Sequence, residues 1–352
     1  MDKRVGIVGV TGYTGAELVR LLHAHPRLSL QYVAARETKG KRLSEVLPAV
    51  RGVSGIADLV IEGFEPESAA TLAERLDVVF TALPHGASAR AVAALHEAGT
   101  TVADLSADFR LKNASVYEQW YGEHPVPALL AKAVYGQPEW HGEELVDARL
   151  IAVPGCYPTS AILAIAPLLE RGLVEPTRIL VDSKSGVSGA GKAPTASTHF
   201  PEAAEGIRPY KVAGSHRHTP EIEQELSRAA GQDIQITFTP HLVPMSRGIL
   251  TTAYLSPRPG TTAEACREAA RDRYGAGLVS VLAANTLPDT LFVRGSARAH
   301  LAYELDERTN TLLAMSAIDN LARGAAAQAL QALNVALGWP AALGLPEIAM
   351  FP

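Results

Sequence analysis

Cys156 stands in Pro154-Gly155-Cys156-Tyr157-Pro158-Thr159-Ser160, followed by a long apolar run of Ala161, Ile162, Leu163, Ile165, Ala166, Leu168 and Leu169. Pro158 suits a first helical turn, so the sulfur falls at a helix N-terminus. The partial positive charge of that end favours thiolate over thiol. A thiolate is the nucleophile that acyl transfer needs. The second cysteine, Cys266, lies in Ala263-Glu264-Ala265-Cys266-Arg267-Glu268-Ala269-Ala270. That is an amphipathic helical pattern, and the thiol reads as packing.

The chain has 11 histidines, and two of them bracket an arginine in Gly214-Ser215-His216-Arg217-His218-Thr219-Pro220-Glu221. Thr219-Pro220-Glu221 reads as a helix start with Thr219 as N-cap. Both imidazoles are then held at a loop–helix junction. One of them can protonate a developing alkoxide and help to ionise Cys156. No metal is expected, because no cysteine cluster accompanies the His-x-His pair.

Gly9, Gly12 and Gly15 punctuate Gly9-Val10-Thr11-Gly12-Tyr13-Thr14-Gly15. The apolar run 4–10 precedes them, and Ala16, Leu18, Val19, Leu21 and Leu22 share a helical face after them. A glycine turn from strand to helix lets backbone N–H groups and the helix dipole approach a pyrophosphate. Arg36 ends the second strand pattern, with Lys39, Lys41 and Arg42 behind it. A cation there suits the 2′-phosphate of NADP, while the adjacent Glu37 keeps NAD open. Ser183-Lys184-Ser185-Gly186-Val187-Ser188-Gly189-Ala190-Gly191-Lys192 lacks P-loop spacing, since Ala193-Pro194 follows the lysine. It reads as a flexible loop of backbone donors near a nicotinamide or a reacting acyl group.

The elements that must position these residues come in two styles. Strand patterns at 4–10, 29–35, 76–83 and 101–105 alternate with helical ones, including 87–98, which argues for a parallel sheet covered on both faces. Beyond a strand at 149–153 the chain is richer in strands, at 178–183, 234–239, 249–256, 290–293, 297–304 and 311–317. That pattern argues for a mixed or antiparallel sheet in a second domain. Residues 186–220 lack clear periodicity and read as a functional loop. A helix is expected over 318–337, stopped by Trp339-Pro340.

A length of 352 residues suits two domains. The formal net charge of -5 does not advertise a nucleic-acid or anionic-membrane partner. No segment approaches the roughly 18 uninterrupted apolar residues of a membrane span. Met1-Asp2-Lys3-Arg4 runs straight into a strand pattern and has no signal-peptide layout. Two cysteines make no disulfide framework, so a reducing cytoplasm is expected.

With these residues assembled, the chain resembles the N-acetyl-gamma-glutamyl-phosphate reductase family, relatives of aspartate-semialdehyde dehydrogenase. The resemblance runs along essentially the whole chain. It rests on the glycine loop 9–15, on Asp104-Leu105-Ser106-Ala107-Asp108-Phe109-Arg110, on the Cys156 and His216/His218 motifs, on Pro244-Met245-Ser246-Arg247-Gly248, and on Ile318-Asp319-Asn320-Leu321 with Gly324-Ala325-Ala326. It implies an α/β chain: an N-terminal Rossmann NADP-binding domain (1–153 and 318–352) and an α+β catalytic and dimerisation domain with a mixed sheet (154–317). The C-terminal helix would return to the Rossmann domain.

The resemblance further implies reduction of an acyl phosphate through a Cys156 thioester, with His218 the first choice of acid/base and His216 the second. For NADP it implies Gly9, Thr11, Gly12, Tyr13, Thr14, Gly15, Arg36, Leu83, Pro84, His85, Ser106, Ser188, Gly189 and Asn320. For the phosphate or carboxylate of a small-molecule substrate it offers Arg110, Arg208, Lys211 and Arg247. A homodimer or homotetramer is implied. The similar reductase for the one-methylene-longer N-acetyl-aminoadipyl phosphate, carrier-linked or free, stays open; only the basic cluster 36–42 hints at a carrier. A non-redox cysteine acyltransferase or hydrolase would need the thiol and histidine without the glycine loop. A non-catalytic nucleotide sensor would need the loop without Cys156.

Overall fold

A computed structural model describes residues 2–351. The chain forms two compact units, Met1–Pro154 with Ala325–Leu345, and Gly155–Gly324 with Pro346–Pro352. The cut after Pro154 lies beside the one read from the sequence, whereas residues 318–324 and 346–352 group with the second unit.

The first unit holds β1 (Lys3–Val8), β2 (Leu28–Ala34), β3 (Val78–Thr81), β4 (Thr101–Asp104), β5 (Val134–Tyr135) and β6 (Leu150–Ala152). They form one six-stranded sheet in the order β2-β1-β3-β4-β6-β5, with every pair parallel. All residues of β3 are buried, as expected of a parallel sheet covered on both faces. The helix Tyr13–Ala24 buries Leu18, Val19, Leu21 and Leu22, and the helix Ala87–Glu97 buries Ala89, Val92 and Leu95. Strand order reverses between β1 and β3, and that switch point is where open α/β sheets hold ligands.

The helix expected over 318–337 is divided. Strand continues to Ile318, a π-turn covers Ala322–Ala326, and the α-helix is Ala327–Ala336. The Asp319 carboxylate accepts the N–H groups of Leu321 and Ala322, both at 2.8 Å, and so competes with helical bonding there. The helix Ala327–Ala336 is fixed within the first unit by buried amides. Gln328 donates to the Gly136 carbonyl at 2.6 Å and Gln331 to Glu139 at 2.8 Å.

The second unit holds β7 (Ile179–Gly186), β8 (Arg208–Pro209), β9 (Ile236–Val243), β10 (Ile249–Leu255), β11 (Val279–Val281), β12 (Ala299–Asp306) and β13 (Thr311–Ile318). Their order is β11-β12-β13-β10-β7-β9-β8. Pairs β11/β12 and β7/β9 are parallel and the rest antiparallel, a mixed sheet. Inward and outward residues alternate along β7 and β10. The helix Cys156–Glu170 is seated on the inner face by buried hydroxyls. Ser160 donates to Thr251 at 2.8 Å and lies 2.6 Å from Ser316. The outer face shows Leu180 and Tyr254 to solvent.

Pro167 sits inside that helix and cannot bond the Leu163 carbonyl. The Tyr274 hydroxyl donates to that carbonyl at 2.8 Å instead, and the Tyr303 hydroxyl donates to the next one, Ala164, at 3.1 Å.

Two local expectations fail. Residues 290–293 are no strand but a single 3-10 turn, Thr290–Phe292, because the Asp289 side chain accepts the Leu291 N–H at 2.8 Å. The loop expected at 183–192 is strand as far as Gly186, with a 3-10 turn at Val187–Ala190.

Candidate active site

In the first unit the glycines make a tight cradle. Gly9 has φ +97°, and a Cβ there would lie 2.4 Å from the Ala82 carbonyl oxygen. A Cβ on Gly15 would lie 2.4 Å from the Gly9 oxygen. At Gly12 the nearest atom would be 3.9 Å away, so that side stays open. Gly12 caps the helix Tyr13–Ala24 with no side-chain hydrogen bond, and its first turn carries no acidic residue. The positive helix end is therefore left for an anion, and the cradle fits a dinucleotide pyrophosphate. Thr11 and Thr14 are half-buried, and Tyr13 is exposed. Arg36 is exposed just past β2, where a ribose phosphate would reach it.

Leu83, Pro84 and His85 follow β3, with His85 edge-on to Tyr121 at 5.5 Å. Asp108 anchors this segment. It accepts the N–H groups of Gly86 (2.8 Å) and Ala89 (2.9 Å) and the Tyr117 hydroxyl (2.8 Å). Ser106 is buried and donates to Asp104 at 2.5 Å. Burial pushes the Asp104 carboxyl up, and hydrogen bonds from Ser106, Ser88 and Thr81 oppose that shift. Arg110 is turned inward as well. Its Nε donates to Val153 O at 2.7 Å and Nη2 to Leu105 O at 2.8 Å, so those donors serve as a strap between strand ends rather than as substrate ligands.

In the second unit Cys156 is the first residue of its helix, and no acidic side chain occupies the first turn. The positive helix end therefore lies at the half-buried Cys156. Its cap, Gly155, donates its N–H to Glu221 Oε1 at 2.8 Å. Glu221 belongs to the helix Thr219–Ala230 that follows the histidine loop, so one buried carboxylate ties the nucleophile turn to the histidine turn. The capping residue of that helix is His218; Thr219, expected to cap, is its first residue.

Aromatic rings join the same two turns. Tyr157 lies 5.5 Å from His216 and 6.0 Å from His218, and the imidazoles are 4.9 Å apart. Tyr210 donates its hydroxyl to that of Tyr157 at 3.0 Å, and Tyr157 donates to the His241 carbonyl at 3.2 Å. Burial pushes both phenols up, which keeps them neutral. Cys266 is wholly buried, and burial pushes its thiol up to about 12, so it is no competing nucleophile.

Burial, and then the Lys211 charge, pull His216 down to about 4. Its Nδ1 accepts the His218 backbone N–H at 3.1 Å. His216 is thus neutral at pH 7 with its proton on Nε2, and His218 is the more exposed of the two. A stability test follows. An unfolded histidine protonates near 6.5, so on acidification the unfolded chain takes up this proton first. The stability is complete above pH 6.5 and falls as pH drops toward 4. Urea unfolding should show a loss on the order of 2 kcal/mol at pH 4.5 that is absent in His216→Gln. Identical pH slopes for the two proteins would contradict the buried neutral imidazole.

The remaining candidates divide. Asn320 donates to Ser188 Oγ at 2.9 Å and accepts the Gly248 N–H at 2.8 Å. Ser188, Gly189 and Asn320 are thus gathered in the second unit, away in sequence from the glycine cradle of the first. Arg208 donates to the Glu202 carbonyl at 2.7 Å and to that of Ser197, which folds the loop back on itself. Lys211 is exposed, with φ 45°. Arg247 Nη1 lies 3.3 Å from the buried carboxylate of Asp319. Among the described residues no group of three His, Cys, Asp or Glu side chains is arranged to hold a metal ion.

Known proteins share this fold. Residues 4–148 match the family model for the semialdehyde dehydrogenase NAD binding domain, and 156–320 match the semialdehyde dehydrogenase dimerisation domain. An aspartate semialdehyde dehydrogenase II of Vibrio cholerae has the same fold, with TM-score 0.73 at 18% identity over 96% of this chain and 99% of that one. The N-acetyl-gamma-glutamyl-phosphate reductase of Geotalea daltonii is 47% identical over 99% of both chains, and that of Syntrophobacter fumaroxidans 49% over 98% of both. The chain belongs to the N-acetyl-gamma-glutamyl-phosphate reductase family.

For this member of the N-acetyl-gamma-glutamyl-phosphate reductase family, sequence reasoning quoted the residues Asp108, Tyr157, Glu221, Asp319 and Gly324 inside motifs but gave them no role. Their partners are remote: Gly155 is 66 positions from Glu221, and Gly295 is 24 from Asp319. The available signal was an acidic residue directly beside each chemical motif. Tyr210 carried no signal of its own.

Proposed function

We propose that the chain reduces N-acetyl-gamma-glutamyl phosphate to N-acetyl-glutamate 5-semialdehyde with release of phosphate, using NADPH. The observation that carries this reading is Cys156 at a helix N-terminus, tied by Glu221 and Tyr157 to His216 and His218. The Cys156 thiolate attacks the acyl carbon, the acyl–oxygen bond breaks, and phosphate departs with the bond's electron pair, leaving a thioester. When bound, NADPH supplies the hydride that reduces the thioester carbonyl. His218 gives a proton to the resulting hemithioacetal oxygen. It takes that proton back as the carbon–sulfur bond breaks, which frees the semialdehyde and restores the thiolate.

The cradle Gly9, Gly12 and Gly15, with Thr11, Tyr13 and Thr14, would hold the pyrophosphate, and Arg36 the 2′-phosphate. Leu83, Pro84, His85, Ser188, Gly189 and Asn320 are assigned to the rest of the cofactor. Lys211 is the exposed cation offered to the substrate phosphate or carboxylate, and Arg247 a shared one. Arg36→Ala should raise the KM for NADPH at least about tenfold and leave that for NADH within about twofold. Equal loss for both cofactors removes Arg36 from the phosphate.

The name carried by the relatives favours the glutamyl chain over the aminoadipyl one, and the NAD binding domain match argues against a non-redox hydrolase. The deciding experiment supplies each semialdehyde with phosphate and NADP and follows reduced cofactor. A preference for the longer aldehyde, or no cofactor reduction with either, overturns the assignment. The dimerisation domain match indicates an oligomer, and the open sheet face with Leu180 and Tyr254 supports a homodimer or homotetramer. No helix among the described residues is long and apolar enough to cross a membrane. A nucleophilic thiol must stay reduced, which supports a cytoplasmic setting.

A further inference from the structure

Gly324 is in contact with the nucleophile. A Cβ built on it would lie 2.6 Å from the Cβ and 3.1 Å from the Cα of Cys156. Its φ lies outside the left-handed range, so an ordinary residue would suit the backbone. Space alone demands glycine here, and the space is taken by Cys156.

What brings Gly324 to that place is the π-turn after β13. The Gly324 N–H donates to the Asp319 carbonyl, five residues back, at 2.9 Å. The Asp319 side chain organises the turn. Oδ1 accepts the N–H groups of Leu321 and Ala322, each at 2.8 Å, and Oδ2 accepts the Gly295 N–H at 2.7 Å. Asp319 is 0% exposed, and Arg247 at 3.3 Å balances its charge. Next to it, Asn320 accepts from Gly248 and donates to Ser188. A fully buried carboxylate with three backbone donors and a guanidinium is worth several hydrogen bonds, and no neutral side chain of its shape replaces all of them.

We infer that Asp319 is a positioning residue for Cys156, acting through the 319–324 turn whose Gly324 walls the nucleophile. The inference rests on the reading of Cys156 as the nucleophile. Arg247, offered above to the substrate, has a second duty in it: it neutralises the carboxylate that builds the wall. The wall sets where Sγ stands over its own helix end, and hence how far that end favours the thiolate. It also sets the line of attack, where a misplacement of about 1 Å costs on the order of 10²-fold in rate.

The test is alkylation of the full chain by iodoacetamide as a function of pH, with kcat and KM measured alongside. Cys266 does not interfere, being buried with its thiol pushed up to about 12. Gly324→Ala and Asp319→Asn should both slow alkylation at pH 7 about tenfold and move its pH midpoint upward. Their kcat should fall on the order of 10²-fold with the KM for NADPH little changed. A parent-like alkylation profile in either variant overturns the inference.

If Gly324→Ala does not fold, the pair Cys156→Gly and Cys156→Gly/Gly324→Ala decides. A double variant that folds where Gly324→Ala alone does not supports the contact, and one that still fails to fold overturns it. If Asp319→Asn does not fold, Arg247→Met, which strips only the guanidinium from the carboxylate, should give the same alkylation shift; the parent midpoint overturns the inference. Turnover that survives Cys156→Ser would sink the function proposed above, while the alkylation result would stand by itself.

Discussion

Cys156→Ser should lower turnover at least about 10³-fold in the reverse assay, with NADP binding unchanged. In the proposed reaction the sulfur is the atom that bonds to the substrate carbon, and the helix end that stabilises a thiolate is too weak to ionise a hydroxyl. The dipole contributes at most about 2 kcal/mol, roughly one to two pKa units, and a serine hydroxyl is far less acidic than a thiol. Cys266→Ala is the control. That thiol is wholly buried in the helix Ala263–Tyr274, so any loss there is one of stability and not of kcat per folded chain. Cofactor reduction at the parent rate by Cys156→Ser would remove the thioester from the mechanism.

Loss of the acid/base should be the next largest effect. His218→Ala should reduce kcat about 10²- to 10⁴-fold. His216→Ala should cost less, and chiefly through packing, since His216 is buried against Tyr157, Tyr210 and Phe238 and stays neutral to about pH 4. A pH–rate profile separates the two. Without His218 the limb it governs should flatten, whereas without His216 the shape should persist at lower amplitude. The opposite pattern would exchange their roles.

Much of this was readable from the residues in order. The glycine loop is legible because only glycine escapes the clash with Ala82 and with the loop's own backbone. Cys156 is legible because a proline two residues on and an apolar run after it announce a helix start. Bonds that span the sequence stayed hidden. Arg110 reads as a ligand in an aspartate-rich motif, and nothing nearby in sequence announces that Val153, 43 positions away, accepts from its Nε. The run 318–337 has a helical composition, and only the Asp319 carboxylate, reaching its own next turn, reveals why the first residues refuse a regular helix. At 290–293 a β-branched, apolar pattern lost to one cap from Asp289. In each case a single polar side chain outweighed a propensity worth tenths of a kcal/mol per residue.

Pro167 and Tyr274 carry a history that neither position shows alone. The ring at 167 leaves the Leu163 carbonyl open, and the phenol at 274 closes it. Drift at the two sites is therefore linked in one direction. A lineage that exchanges the proline for alanine releases the tyrosine to become phenylalanine, but one that loses the phenol first strands a carbonyl in the interior. Among diverged copies of this gene, phenylalanine at 274 beside proline at 167 should be the rare combination.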